Sequence, residues 1–201
     1  NIPVLVADLM TIPDVHVMVL DDQSPDGTGA VAEEMGRRFP GRVQVLHRTG
    51  QRGLGVSYLE GFRRAIATDY DFICQMDADL SHDPKYLPAM IATAAAGADL
   101  VIGSRYMNGI SVVNWPLRRI ILSQFANFYI RTISGLQLRD ITTGYRCWRR
   151  QALAKIPLER IVSDGYAFLL DVTFMAAHAG LRIEESPIRS EEHTSELQSH
   201  L

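Results

Sequence analysis

In this 201-residue chain the residues that could do chemistry are carboxylates at the ends of apolar runs. FICQM at 72–76 leads straight into Asp77-Ala78-Asp79, and VHVMVL at 15–20 leads into Asp21-Asp22. Alternating carboxylates leaving a buried strand can hold a hard divalent cation, because Mg²⁺ and Mn²⁺ favour oxygen ligands. Mg²⁺ typically keeps one or two carboxylates and takes substrate phosphate oxygens for the rest. A D-x-D alone is also a common solvated loop whose acids cap the next helix, and Asp83 before Pro84 fits that role. Asp21 and Asp22 suit accepting hydrogen bonds from a base N–H or from ribose hydroxyls. The SPDGT stretch at 24–28 is a turn in which Asp26 or Thr28 can cap a following helix. G-x-G-x-x-A at 27–32 matches a dinucleotide fingerprint, but its first Gly lies seven residues past the strand and three Asp precede it. A pyrophosphate would have to sit among those acids, so the match is set aside.

A third strand end, LVIGS at 100–104, runs into Arg105. In open parallel sheets ligands bind outside the carboxyl ends of the strands, so Asp21, Asp22, Asp77, Asp79 and Arg105 are expected on one rim. The chain has 18 Arg and two Lys, and residues 115–150 hold seven arginines against one acid, Asp140. Between those arginines lie Trp115, Ile120, Ile121, Leu122, Phe125, Phe128, Tyr129, Ile130 and Ile133. A basic amphipathic helix of this kind reads as lying on a membrane surface, with Arg forks suited to phosphate. The competing reading is an ordinary helix packed on the sheet. His82 follows the acidic turn and suits a supporting or surface role, while His16, His47 and His178 read as structural. No Ser/His/Asp or Cys/His constellation stands out.

The elements that must position these residues follow from periodicity. Strand patterns at 15–20, 43–47, 72–76 and 100–104 alternate with helix patterns at about 28–38, about 54–67 and after Asp83-Pro84. That order predicts an α/β domain, a mostly parallel, doubly wound sheet with helices on both faces. At 47% hydrophobic and 21% charged, the chain is long enough for one sizeable core. Cys74 and Cys147 cannot make a disulfide framework, no run nears the roughly 20 apolar residues that cross a bilayer, and no secretory leader is visible. A net charge of −3 argues against a nucleic-acid partner. The expected setting is reducing and intracellular.

The ends carry their own expectation. Residues 189–200, RSEEHTSELQSH, form a polar string with no amphipathic period and look like the conceptual translation of a sequencing adapter. Without the one Arg and three Glu of 189–201, the body has 19 basic and 20 acidic residues. Asn1 opens directly into the helix-like NIPVLVADLM, so the chain reads as an internal fragment: a domain at 1–188 and an artefactual tail at 189–201.

LDDQSPDGTG, QRGLGVSYLEGF, QMDADLSHDP, VIGSRY, DITTGYRCWRR and SDGYAFLLDVTF occur in that order. Together they resemble the polyprenol-phosphate mannosyltransferases, the dolichol-phosphate mannose synthases and their bacterial relatives in glycosyltransferase family 2. The resemblance covers residues 1–188 and implies a single GT-A, Rossmann-like domain whose first strand would precede Asn1. It implies a GDP-mannose donor, a polyprenyl-phosphate acceptor and Mg²⁺ or Mn²⁺. It places Leu20, Asp21 and Asp22 at the nucleoside, and Asp77, Ala78 and Asp79 at the sugar nucleotide and metal. Asp79 is then the direct ligand and Ser81 stands where some relatives have a further one. Arg105, Arg118 and Arg119 resemble phosphate-holding arginines, and 140–146 resembles the loop near the acceptor. Asp77, Asp79 and Arg105 are therefore the expected catalytic set. The resemblance also implies a peripheral enzyme on the cytoplasmic face of a membrane, with room for a membrane-anchoring subunit or domain. A basic loop expected after Ile188 is replaced by the tail, so this chain would turn over poorly. The acceptor is a phosphate monoester, already anionic near pH 7, so single displacement with inversion needs no strong general base. Three other readings stay open: a family 2 transferase using another donor such as UDP-glucose, a haloacid-dehalogenase-like phosphatase with the first Asp of D-x-D as nucleophile, and a non-catalytic nucleotide-binding fragment.

Overall fold

Leu100, Val101 and Ile102 are each 0% exposed, and the alternation of a strand sends them into two different cores. Leu100 and Ile102 join Tyr58, Phe62, Trp148 and Phe168 on one side, while Val101 joins Leu9, Leu87, Met90 and Cys147 on the other. A strand covered on both faces needs an unbroken apolar run, which is how 100–102 reads. The structure is a computed structural model describing residues 1–113 and 115–191. In chain order it contains α1 (Ile2–Met10), β1 (Val17–Asp21), α2 (Thr28–Arg38), β2 (Val43–His47) and α3 (Leu54–Ile66). There follow β3 (Phe72–Gln75), α4 (Leu87–Ala95), β4 (Leu100–Ser104), β5 (Val112–Val113) and α5 (Leu117–Ser134). β6 (Arg146–Arg149), α6 (Arg150–Leu153), α7 (Gly165–His178), β7 (Ile183–Pro187) and β8 (Ser190–Glu191) complete it.

The main sheet has the order β3-β6-β4-β7. β4 and β7 are parallel, and β6 runs antiparallel to both β3 and β4, so three of the four strands share one direction. β1 and β2 form a parallel pair of their own, with α2 packed on them through Ala32 and Met35. Among the described residues no ladder joins that pair to the main sheet. The expected α/β architecture with helices on both faces is present.

Three details differ from the sequence reading. β6, four residues beginning and ending in arginine, has no apolar run to reveal it, yet its register sets Cys147 opposite Cys74. The two free cysteines, distant in sequence, are thus cross-strand neighbours. Not all of the arginines at 115–150 lie on a surface: Arg146 is 0% exposed and donates to the carbonyls of Thr143, Leu169 and Ile141. Of the stretch expected to be foreign, Ser190 and Glu191 pair with Val112 and Val113, and Ser190 is buried. The remainder of that stretch, 192–201, lies outside the described residues.

Candidate active site

β1 delivers Asp21 and Asp22 to the sheet edge, and the two face different partners. Asp21 is buried, accepting a hydrogen bond from the Ser24 N–H at 3.2 Å and facing His47 Nδ1 at 3.1 Å. Burial alone would raise its pKa, but the bonds from Ser24 and His47 hold the carboxyl below its usual range. A Cβ on Gly29 would lie 2.5 Å from Asp21 Oδ2, so that glycine makes room for a carboxylate rather than for a pyrophosphate. Asp22 accepts from Arg48 Nη1 and from the Gly53 N–H at 2.8 Å. Arg48, buried, also reaches Glu60 at 3.1 Å and Ser57 at 2.8 Å. Leu20 turns its side chain toward α3, where a Cβ on Gly61 would come within 2.8 Å of it.

The D-x-D leaves β3 half-exposed at Asp77 and exposed at Ala78 and Asp79. Asp77 Oδ1 accepts from the Tyr58 hydroxyl at 3.1 Å, and Asp79 Oδ1 accepts from the Ser81 N–H at 2.9 Å. His82 is buried, and its Nδ1 accepts the Asp77 N–H at 3.0 Å. Burial pushes the His82 imidazole pKa down, which keeps Nδ1 an acceptor. Leu80 sits at φ 69° and Gln23 at φ 58°, so each acidic loop carries a non-glycine residue in the left-handed region. Such residues are uncommon and persist only where the surroundings over-determine them. Among the described residues no cluster of three or more His, Cys, Asp or Glu forms a closed metal cage. Two rim carboxylates with Ser81 beside them nevertheless fit a Mg²⁺ or Mn²⁺ that completes its shell with substrate oxygens and water.

β4 delivers Arg105, which grips Asp140 with two charge-assisted bonds, Nε to Oδ2 at 2.6 Å and Nη2 to Oδ1 at 2.7 Å. Its guanidinium lies 5.0 Å from the Trp115 ring, and that of Arg119 lies 4.0 Å from the same ring. Trp115 thus gathers two of the three arginines expected to hold phosphate; Arg118 is exposed on the first turn of α5. Only Asn127 of α5 is buried, and its Oδ1 takes the Ile141 N–H at 2.8 Å. Leu117, Ile121, Leu122, Phe125, Phe128, Tyr129 and Ile133 are all more than half exposed. No helix among the described residues is long and apolar enough to cross a membrane.

Two elements each touch more than one of the expected residues, linking Asp22, Asp77 and Arg105. α3 meets Asp22 at Gly53, before its first turn, and Asp77 at Tyr58, about 8 Å further along the axis. The 140–146 segment meets Arg105 at Asp140 and Asp77 at Gly144, where a Cβ would lie 2.9 Å from Asp77 Oδ2. Sequence reasoning missed Tyr58, Gly144 and Arg48, and read Trp115 only as one of the apolar residues between the arginines. Tyr58 sits inside QRGLGVSYLEGF and Gly144 inside DITTGYRCWRR, so the strings were visible but the contacts were not.

A family model described as Glycosyl transferase family 2 matches residues 4–157. Polyprenol monophosphomannose synthase of Mycolicibacterium smegmatis is 47% identical over 189 residues, 94% of this chain and 71% of that protein. Undecaprenyl-phosphate mannosyltransferase of Micrococcus luteus is 47% identical over 177 residues, 88% of this chain and 72% of that protein. In structure the chain resembles glucosyl-3-phosphoglycerate synthase from Mycobacterium tuberculosis, solved with Mn²⁺, UDP and phosphoglyceric acid. That match has a TM-score of 0.64 at 19% identity and covers 90% of this chain but 60% of the other, less than two thirds of its length.

Proposed function

The chain belongs to glycosyl transferase family 2, and from that premise we propose that it transfers mannose from GDP-mannose to a polyprenyl phosphate. The observation that carries this reading is a juxtaposition: the exposed apolar face of α5 begins beside the Arg105–Trp115–Arg119 stack, on the rim that bears the D-x-D. A lipid phosphate needs both halves of that arrangement, cations for its head and an apolar surface for its tail. The names of the two curated relatives support the same acceptor class. A phosphatase reading gives Asp21 and Asp22 no role, and family membership leaves it without support.

In this reading Asp21 and Asp22 hold the nucleoside, and Asp77 and Asp79, with Ser81 beside them, hold the metal and the sugar diphosphate. A bound Mg²⁺ or Mn²⁺ would supply charge stabilisation to the departing diphosphate. Arg118 and Arg119, with Arg105 held by Asp140 against the Trp115 ring, orient the acceptor phosphate and offset its repulsion from the donor. One phosphate oxygen bonds to the anomeric carbon as the bond to the diphosphate breaks, inverting that carbon. The acceptor already carries its charge near pH 7, so the transfer needs no strong general base. The apolar face of α5 rests on the cytoplasmic face of a membrane, and a membrane-anchoring partner or domain would share that surface. Residues 1–188 are taken as the catalytic unit, and Ser190 extends its fold by pairing with Val112 and bridging to His82. Calorimetric titration with GDP-mannose and UDP-glucose, with and without Mn²⁺, tests the donor. Mn²⁺-dependent binding that prefers GDP-mannose supports the reading, and a preference for UDP-glucose moves the protein to another donor class.

A further inference from the structure

We propose that Tyr58 is a positioning residue whose phenol O–H fixes the orientation of the Asp77 carboxylate toward donor and metal. The proposal rests on Asp77 belonging to the donor site, as above. A carboxylate turns about its last torsion in a broad, nearly two-fold well, so one directional donor decides where its second oxygen points. Tyr58 supplies that donor at 3.1 Å from Oδ1. Its ring cannot follow the carboxylate: Tyr58 is 9% exposed and stacks on Phe168 with centroids 5.8 Å apart and planes 2° from parallel. Phe62 lies against it as well, at 6.0 Å. Between a phenol O–H and a carboxylate the phenol is the only donor, so the bond has one direction.

The carboxylate also lies against backbone at Gly144, with His82 Nδ1 4.0 Å from its Oδ2. A Cβ on Gly144 would stand 2.9 Å from Oδ2 and 3.1 Å from Oδ1, so Asp77 lies against that glycine while Tyr58 holds its Oδ1. That backbone is itself held in place. The guanidinium of Arg146 ties the carbonyls of Ile141 and Thr143 to Leu169 on α7, fixing the segment that contains Gly144. A phenol that merely satisfied its own hydrogen bond would not need a rigid stack behind it and a side-chain-free contact for its acceptor.

Tyr58→Phe removes only the hydroxyl and keeps the stack. The test is calorimetric titration of GDP-mannose in Mn²⁺ with the parent, Tyr58→Phe, Asp77→Asn and the double variant, with melting curves for all four. The expected result is about ten-fold weaker binding for Tyr58→Phe, the size of one hydrogen bond to a charged group. Its melting temperature stays within a few degrees of the parent, and on the Asp77→Asn background it adds less than two-fold, because it acts through Asp77. Binding by Tyr58→Phe within two-fold of the parent, with Asp77→Asn clearly weakened, overturns the role of Tyr58 alone. An equal loss in both backgrounds overturns it too, by moving the effect elsewhere. Parent-like binding by Asp77→Asn removes Asp77 from the donor site and the proposal with it.

Discussion

Gly144→Ala perturbs the site by a single methyl whose position is fixed. The new Cβ would lie 2.9 Å from Asp77 Oδ2, 3.1 Å from Oδ1 and 3.3 Å from Cγ, so it meets the whole carboxylate face. Ordinary contact begins at 3.4 Å, which requires a retreat of roughly 0.5 Å. The backbone resists that retreat, because Tyr145 C=O accepts the Gly103 N–H at 2.9 Å and Arg146 pins the carbonyls of Ile141 and Thr143. The carboxylate moves instead, and its bond from Tyr58 is lost or bent. Gly144 has no positive φ, so Ala is allowed in the backbone and gains about 0.4–1 kcal/mol from reduced unfolded-state freedom. The lost hydrogen bond costs about as much or somewhat more, which leaves stability within about 1 kcal/mol of the parent. Donor binding has no such compensation and should weaken about ten-fold or more. Parallel melting curves and titration of GDP-mannose in Mn²⁺ measure both. Unchanged affinity, or a collapse of stability with affinity intact in the folded fraction, would refute the reasoning.

Asp140→Ala removes the buried carboxylate that takes two charge-assisted bonds from Arg105, whose side chain is 10% exposed, and should cost about 3–5 kcal/mol in urea unfolding; a loss below 1 kcal/mol would show that the pair is not structural. His47 is drawn toward its charged form first by Glu33 and then by Asp21, so its pKa lies above 6.5. The stability it contributes is complete below about pH 6.5 and disappears as pH rises through the raised value. The melting-temperature gap between the parent and His47→Gln should therefore close with rising pH, and a gap equal at pH 6 and pH 9 would contradict that assignment. Phe125→Asp places a charge on the exposed face of α5 and should lower co-sedimentation with lipid vesicles several-fold at unchanged melting temperature; full retention on vesicles would detach α5 from the membrane reading.

Most of the scaffold was legible because its signals are local. The run at 100–104 could be a strand only if covered on both faces, and Leu100, Val101 and Ile102 are covered. The helix at 28–38 and the strand at 43–47 match their expected bounds, with Asp26 taking the Thr28 N–H as the turn chemistry implied. β6 was not legible, because its burial is earned by partners far away in sequence: Cys74 and Val101 across the ladders, and Leu169 for the Arg146 charge. The carboxylates of the candidate site could be read from their place after strands. Their supports could not, since a tyrosine on a helix and a glycine in a loop acquire meaning only where they meet Asp77. Arg105 was expected at a phosphate and also grips Asp140, an acid the sequence showed as an exception to the charge imbalance and as the start of the 140–146 loop, with nothing to pair the two.

The most direct measurement is mass-spectrometric detection of the product after incubating the protein with GDP-mannose, Mn²⁺ and a polyprenyl phosphate in vesicles. The account predicts mannosyl-phosphoryl-polyprenol formed only with divalent metal, and none from an Asp79→Asn variant. Equal product after chelation, or from Asp79→Asn, would contradict the role given to the D-x-D. A glucosylated lipid from UDP-glucose, with no product from GDP-mannose, would contradict the mannosyl donor itself.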